Sequence, residues 1–449
     1  MTARSLARTG LTCLWLAAAA AHAATDWGAT RTEALGVFQA LLRLDTSNPP
    51  GRVTPAVDLL DGLLRREGIA TRRYVTDGPR GVESLLARLP GRSAGKPLLL
   101  LAHLDVVPVE PARWLVPPFA GLVQGGEVWG RGAIDMKDLA VMELFAMISL
   151  KREGIVPARD LLLLFDGDEE VGGALGAKWM TEHAWSDLDP AYVLDEGGAG
   201  TTSVYTGDGR IVFGLAVEEK KVLWLKLTAA GEGGHGSRPT SRNPARTLSR
   251  ALGRIAALEP QDRSTPVVAE MERRLGRLAD NPVTRALRHA TITITSLRAG
   301  VGDPPKTNVI PDHAEATIDC RLLPGDSVEE TIALVRACLG GDPDLTLEVT
   351  QRPQSPEPPP ARWDTPLYRA LESAITAAIP GSVTVPVVMT GGTDARFFRA
   401  RGVPAYGFDP TVRTPERQAL FHSHNERLAV AEFNRGLKLY HDALASFLR

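Results

Sequence analysis

Five segments of this chain carry residues that could do chemistry. The apolar run 98–102 leads directly into His103-Leu104-Asp105. On an extended backbone, positions two apart point the same way, so an imidazole and a carboxylate would stand side by side. That is how a metal-bound histidine is oriented, although a capped loop histidine is the commoner occurrence. Gly130-Arg131-Gly132-Ala133-Ile134-Asp135-Met136-Lys137 delivers Asp135 just before a helix, where the plain reading is an N-cap aspartate. A second apolar run, 161–165, ends in Asp166-Gly167-Asp168-Glu169-Glu170. On a surface this would be a solvated charge run; at the edge of a core, clustered carboxylates repel unless cations or protons compensate. A third run, 191–194, ends in Asp195-Glu196-Gly197-Gly198, and near the C-terminus lies Phe421-His422-Ser423-His424-Asn425-Glu426. Imidazole and carboxylate donors without a thiolate suit Zn²⁺, Mn²⁺ or Co²⁺. If one carboxylate bridged two ions, five protein ligands would serve both and leave room for water.

The elements that must position these residues alternate between strand and helix. Continuous apolar runs at 98–102, 161–165 and 191–194 suit strands buried on both faces of a mainly parallel sheet, with helices at 137–153 and 174–183 between them. Helices are also expected at 35–44 and 57–67, and a strand at 85–89. The middle of the chain changes character. Strands at 222–227, 290–297, 315–322 and 345–349, with amphipathic helices at 244–258 and 328–339, follow the β-α-β-β-α-β order of a ferredoxin-like unit. Residues 260–289 are an additional charged and helical stretch, and 351–360 hold five prolines, which marks a linker. After it, helices at 367–378 and 431–448 and strands at 383–388 and 405–408 restore the α/β pattern. The expected architecture is an α/β sandwich, with residues 24–218 and 351–449 forming one domain and 219–350 inserted into it.

Composition narrows the function. With 51 Lys+Arg against 53 Asp+Glu there is no basic excess to neutralise a phosphate backbone, which argues against nucleic-acid binding. Arg4 and Arg8, an apolar run and Ala21-His22-Ala23 make residues 1–23 a secretory signal peptide, so an exported protein without a membrane span after cleavage is expected. Cys320 and Cys338 remain, and two buried thiols are expected rather than a bridge. His235, among Gly231, Gly233, Gly234 and Gly236, reads by itself as an exposed loop histidine.

Together with Gly234-His235-x-Ser237-x-Pro239, Asn308-Val309-Ile310-Pro311 and Gly391-Gly392-Thr393-Asp394, these motifs run in order from residue 103 to 426. In this the chain resembles the cocatalytic dizinc exopeptidases and deacylases that include aminoacylase, carboxypeptidase S, glutamate carboxypeptidase and succinyl-diaminopimelate desuccinylase. Asp195-Glu196-Gly197 and Asn425-Glu426-Arg427 look most like the aminoacylase and carboxypeptidase S branch. The resemblance implies a three-layer α/β catalytic domain with the insert as lid and dimerisation domain, and two zinc ions per subunit, replaceable by Co²⁺ or Mn²⁺. His103 and Asp195 would hold one ion, with Glu196 the alternative at that strand end, and Glu170 and His422 the other, with His424 the less favoured neighbour. Asp135 would bridge, Asp105 would orient His103, and Glu169 would be the general base toward the metal-bridging water. The peptide bond after Asp135 would be cis. His235 would reach a neighbouring subunit's active site in a homodimer, while Asn308, Arg321, Gly392 and Thr393 would contact substrate. The activity implied is hydrolysis of an amide bond next to a free carboxylate, as in a carboxypeptidase or dipeptidase, or alternatively an N-acyl-amino-acid deacylase. A catalytically silent binding protein on the same fold would lack Glu169 or one of the ligands, and all are present.

Overall fold

The computed structural model describes residues 24–353 and 357–449; the expected signal peptide lies outside them. The strands Leu98–His103 and Leu161–Asp166 are buried along their whole length and pair in parallel. Their side chains alternate between two cores: Leu98, Leu100 and Ala102 join one cluster, Leu99 and Leu101 the other. This is why the sequence shows an unbroken apolar run instead of alternation.

These strands lie in a ten-stranded mixed sheet with the order Ala70–Asp77, Val82–Leu89, Leu161–Asp166, Leu98–His103, Tyr192–Asp195, Ala405–Gly407, Ile211–Glu219, Gly200–Thr202, Val412–Arg413. The strand Val383–Met389 adds in parallel to Ile211–Glu219, which the sequence reading had not marked as a strand. One face is covered by the helices Trp27–Leu42, Lys137–Arg152, Pro366–Ala378 and Val430–Leu448, the other by Ala177–His183 and Ala395–Arg399. Three layers result. The first helix begins well ahead of the expected 35–44 because Asp26 caps it, its carboxylate accepting from Gly28 N at 2.9 Å.

The insert forms a separate antiparallel sheet in the order Thr291–Ala299, His313–Leu322, Lys221–Ala230, Leu345–Gln351. Helices Pro244–Ala256 and Val328–Ala337 cover one face and share a core with Leu223, Leu225, Ile318 and both cysteines. Cys320 and Cys338 are buried free thiols.

The span 219–350 is nevertheless divided between two cores. Helix Pro266–Leu275 points Val267, Val268, Met271 and Leu275 into the core of the large sheet, beside Val383–Met389. Its many charges, among them Glu270, Arg273 and Arg274, pair along its outer side and conceal that stripe in the sequence.

Candidate metal centre

Each expected donor arrives from the end of a buried element. His103 closes its strand with 2% exposure. Its Nδ1 lies 2.9 Å from the Asp105 carbonyl oxygen and 3.5 Å from that residue's Oδ1, which leaves Nε2 as the free donor. Nε2 faces Asp135 Oδ1 at 3.2 Å and Glu196 Oε1 at 3.6 Å. Asp105 is itself fixed, accepting from Asn48 Nδ2 at 2.9 Å, Glu169 N at 3.3 Å and Glu170 N at 3.2 Å. It therefore holds His103 and is not among the converging donors.

The carboxylate of Asp135 stands between two imidazoles. Its Oδ1 faces His103, and its Oδ2 lies 3.0 Å from His422 Nε2. His422 Nε2 is also 3.4 Å from Glu170 Oε2. The peptide bond between Asp135 and Met136 is cis, as the resemblance implies. Two overlapping donor groups follow, His103 with Asp135 and Glu170, and His103 with Glu169 and Glu196. Neither His422 nor His424 belongs to these groups.

At the strand end 195–196 the geometry favours the alternative donor, Glu196. Asp195 is buried, but its Oδ1 accepts from Glu196 N at 2.8 Å and its Oδ2 from Ala395 N at 2.6 Å. With both oxygens taken by backbone amides, the strand end presents Glu196 to the centre in its place. Side chains one apart on an extended chain point oppositely, so only one of the pair can face inward.

The electrostatics of this cluster ask for cations. Burial and then the neighbouring Asp135 push Glu170 up to about 7. The same two causes raise Glu196 well above the carboxylate range. Hydrogen bonds to Asp135 and Glu170 raise His422 to about 10. Burial opposes a charge on His103, yet the Asp105 and Asp135 carboxylates prevail and hold it well above its usual value. Acids that resist ionising, gathered around imidazoles that retain protons, are the donor set of a divalent cation before it displaces those protons. Oxygen and imidazole donors, with Asp135 aimed both ways, fit a pair of such ions.

Residues 99–446 match the model of Peptidase family M20/M25/M40. This chain belongs to that family. The M20 chain is thus a metal-dependent hydrolase of amide bonds, and zinc is the usual metal. Mouse aminoacylase-1 is 30% identical over 415 residues, covering 91% of this chain and 94% of the relative. The N-fatty-acyl-amino acid synthase/hydrolase of Mus musculus is 28% identical over 76% of this chain and 72% of its own length. Among solved structures, human carnosine dipeptidase 1 superposes with a TM-score of 0.73 at 15% identity, over 94% of this chain and 97% of that one. The metallo-carboxypeptidase Sso-CP2 from Sulfolobus solfataricus superposes with 0.70 at 19%, over 92% and 99%. These two share the fold.

Beside the metal centre of the M20 chain opens a cavity of about 1080 Å³. Glu169, Glu170, His422, Gly392 and Arg396 line it from the body, Val222, Trp224 and Arg321 from the insert. Of the residues expected to contact substrate, Gly392 and Arg321 line this cavity, and Arg321 is paired with Asp319 at 2.8 Å. Thr393 is buried behind the wall, its amide donating to Glu219. His235 and Asn308 are exposed and do not line the cavity. His235 sits in the short pair Gly234–His235 with Val309–Ile310, its Nδ1 2.8 Å from Ser237 Oγ.

Two residues of the site escaped the sequence reading. Asn48 anchors Asp105 from the loop that follows the first helix. Arg396 follows Gly391-Gly392-Thr393-Asp394, and its guanidinium lies 3.6 Å from Glu169 Oε1 and 3.7 Å from Asp394 Oδ1. A cation two residues past a matched motif was the available signal.

Proposed function

We propose that the protein is an exported dizinc hydrolase that removes the acyl group from N-acyl amino acids, and that its subunits pair through the insert. His103, Asp135 and Glu196 would hold one ion, and Asp135, Glu170 and His422 the other. Bound there, the ions would supply Lewis acidity, polarising the substrate carbonyl and making water a stronger acid. The observation that carries this reading is Asp135, whose two oxygens face His103 and His422 separately.

Glu169 adjoins this centre and lines the cavity. Burial raises its carboxyl above the usual range, with His103 and Arg396 opposing, which suits a group that must take a proton near neutral pH. In this reading a Glu169 oxygen accepts the proton of the attacking water and returns it to the amide nitrogen that leaves. Gly392 lets the substrate chain approach the wall closely, and Arg321 offers a cation to its carboxylate. His235, exposed in the insert, is available to complete a neighbouring subunit's site. Export rests on Arg4, Arg8 and the Ala21-His22-Ala23 signal.

The likeness to mouse aminoacylase-1 along nearly the whole chain favours deacylation. A dipeptidase or carboxypeptidase would use the same residues, so the test is a hydrolysis screen of N-acyl amino acids against dipeptides, with and without chelator. Chelator-sensitive release of the free amino acid from N-acyl substrates, faster than from dipeptides, is expected. Faster dipeptide cleavage would replace the deacylase reading with the peptidase one; activity indifferent to metal would end both.

A further inference from the structure

The two loops that bring Asp135 and His422 face to face are held by a buried ion pair outside the metal centre. Strand Glu127–Trp129 pairs with Arg427–Ala429, setting Trp129 opposite Arg427. The pairing continues one step further, Gly130 N donating to the Glu426 carbonyl oxygen at 3.1 Å. Side chains then take over. Glu426 Oε1 accepts from the amide of Ile134, next to Asp135, at 2.8 Å, and its Oε2 accepts from Arg131 Nη1 at 2.6 Å. Arg131 Nη2 reaches the His422 carbonyl oxygen at 3.4 Å. Arg131 is 2% exposed and Glu426 0%.

His422 needs such support. Its side chain is 56% exposed, so packing does little to fix it. Its φ of 56° and the φ of 62° at Asn425 put two non-glycine residues of one short loop in the left-handed region, which persists only where surroundings impose it.

We propose that Arg131 and Glu426 are positioning residues that lock the His422 loop to the Asp135 loop and so set the half of the metal centre that His422 serves. The proposal rests on the two-ion reading above. Leaving one charge of a buried pair alone is strongly destabilising, whereas an apolar pair of similar volume is often tolerated, so two variants are used: Glu426→Gln and the double variant R131M/E426M. Metal-free protein is titrated with Zn²⁺ by calorimetry and with Co²⁺ by visible absorption, and the thermal midpoint is recorded. The wild type is expected to take up two ions. Both variants should keep the first ion with near-normal affinity and weaken the second by about 10–100-fold, with an altered Co²⁺ spectrum. The midpoint of the double variant should stay near that of the wild type, and the double variant carries the test if Glu426→Gln, which strands the buried Arg131 charge, does not fold. Two ions bound with wild-type affinity in the variants would overturn the proposal, as would equal loss of both. A wild type that takes up only one ion would defeat the two-ion reading, and this proposal with it.

Discussion

The body and the insert each hold residues expected at the active site, and they hold them in opposite ways. In the body, His103 ends a fully buried strand, Glu196 follows one buried at all but its first residue, and Asp135 precedes a helix buried on nearly every side. Their donor atoms converge within the body alone. In the insert, His235 and Asn308 stand on a two-residue strand pair and its approach, exposed and away from the cavity. Donors at the ends of buried strands are preorganised by the core. Donors on an exposed edge act only when another surface comes to them.

The most damaging way to probe the body is to remove its metal. Chelator should abolish hydrolysis, and Zn²⁺ should restore it. Metal uptake must also release protons, because His422 titrates near 10 and His103 well above its usual value in the metal-free chain. Zinc affinity should therefore rise with pH, by about tenfold per unit for each proton displaced. Equal affinities at pH 6 and pH 8 by calorimetry would break the donor assignment.

Glu169→Gln should come next in size. It removes a proton acceptor but not a proposed ligand, so kcat should fall by at least about 10²-fold while two zinc equivalents remain by elemental analysis. Loss of zinc in Glu169→Gln, with zinc kept in Glu170→Gln, would mean that the two glutamates have exchanged roles.

The neighbouring pair at the strand end separates more finely. Glu196→Gln should lower zinc content. Asp195→Asn should keep the zinc and destabilise the fold by about 1–3 kcal/mol, since an amide cannot accept from both Glu196 N and Ala395 N. If the two variants behave the other way round in a metal assay and a thermal melt, Asp195 is the donor after all.

The insert yields the smallest and most conditional effect. Inactive Glu169→Gln and inactive His235→Ala proteins, mixed and allowed to exchange subunits, should regain partial activity, because one hybrid site would hold both intact residues. No recovery after exchange verified by mass spectrometry would confine His235 to its own chain or to no role.

How much could be read beforehand follows from the same contrast. Runs such as 98–102 and 161–165 announced buried strands, and the acids at their ends made sense only as compensated charges. The β-α-β-β-α-β order of the insert was legible because each strand there buries one face and alternates. Asp195 and Glu196 were not separable beforehand because the choice between them depends on where the strand stops and the turn at Gly197 begins, a matter of one residue. Arg396 and Asn48 were missed because each acts through a neighbour brought near only by folding. The packing of Pro266–Leu275 escaped because its partner strand lies more than a hundred positions later in the chain.

That helix also bears on how the insert can move. Had 219–350 been a free cassette, two chain crossings would join it to the body. With Pro266–Leu275 anchored in the large core, the backbone passes between the two units four times: near Lys220, on either side of the anchored stretch, and after Gln351. Four tethers leave a swinging sheet far fewer axes than two. Excising 219–350 would not give an intact body; it would strip Val267, Val268, Met271 and Leu275 from the interior and expose the Val383–Met389 strand they cover. A shortened variant that keeps 266–287 and replaces only the sheet and its two helices is the one that should remain soluble.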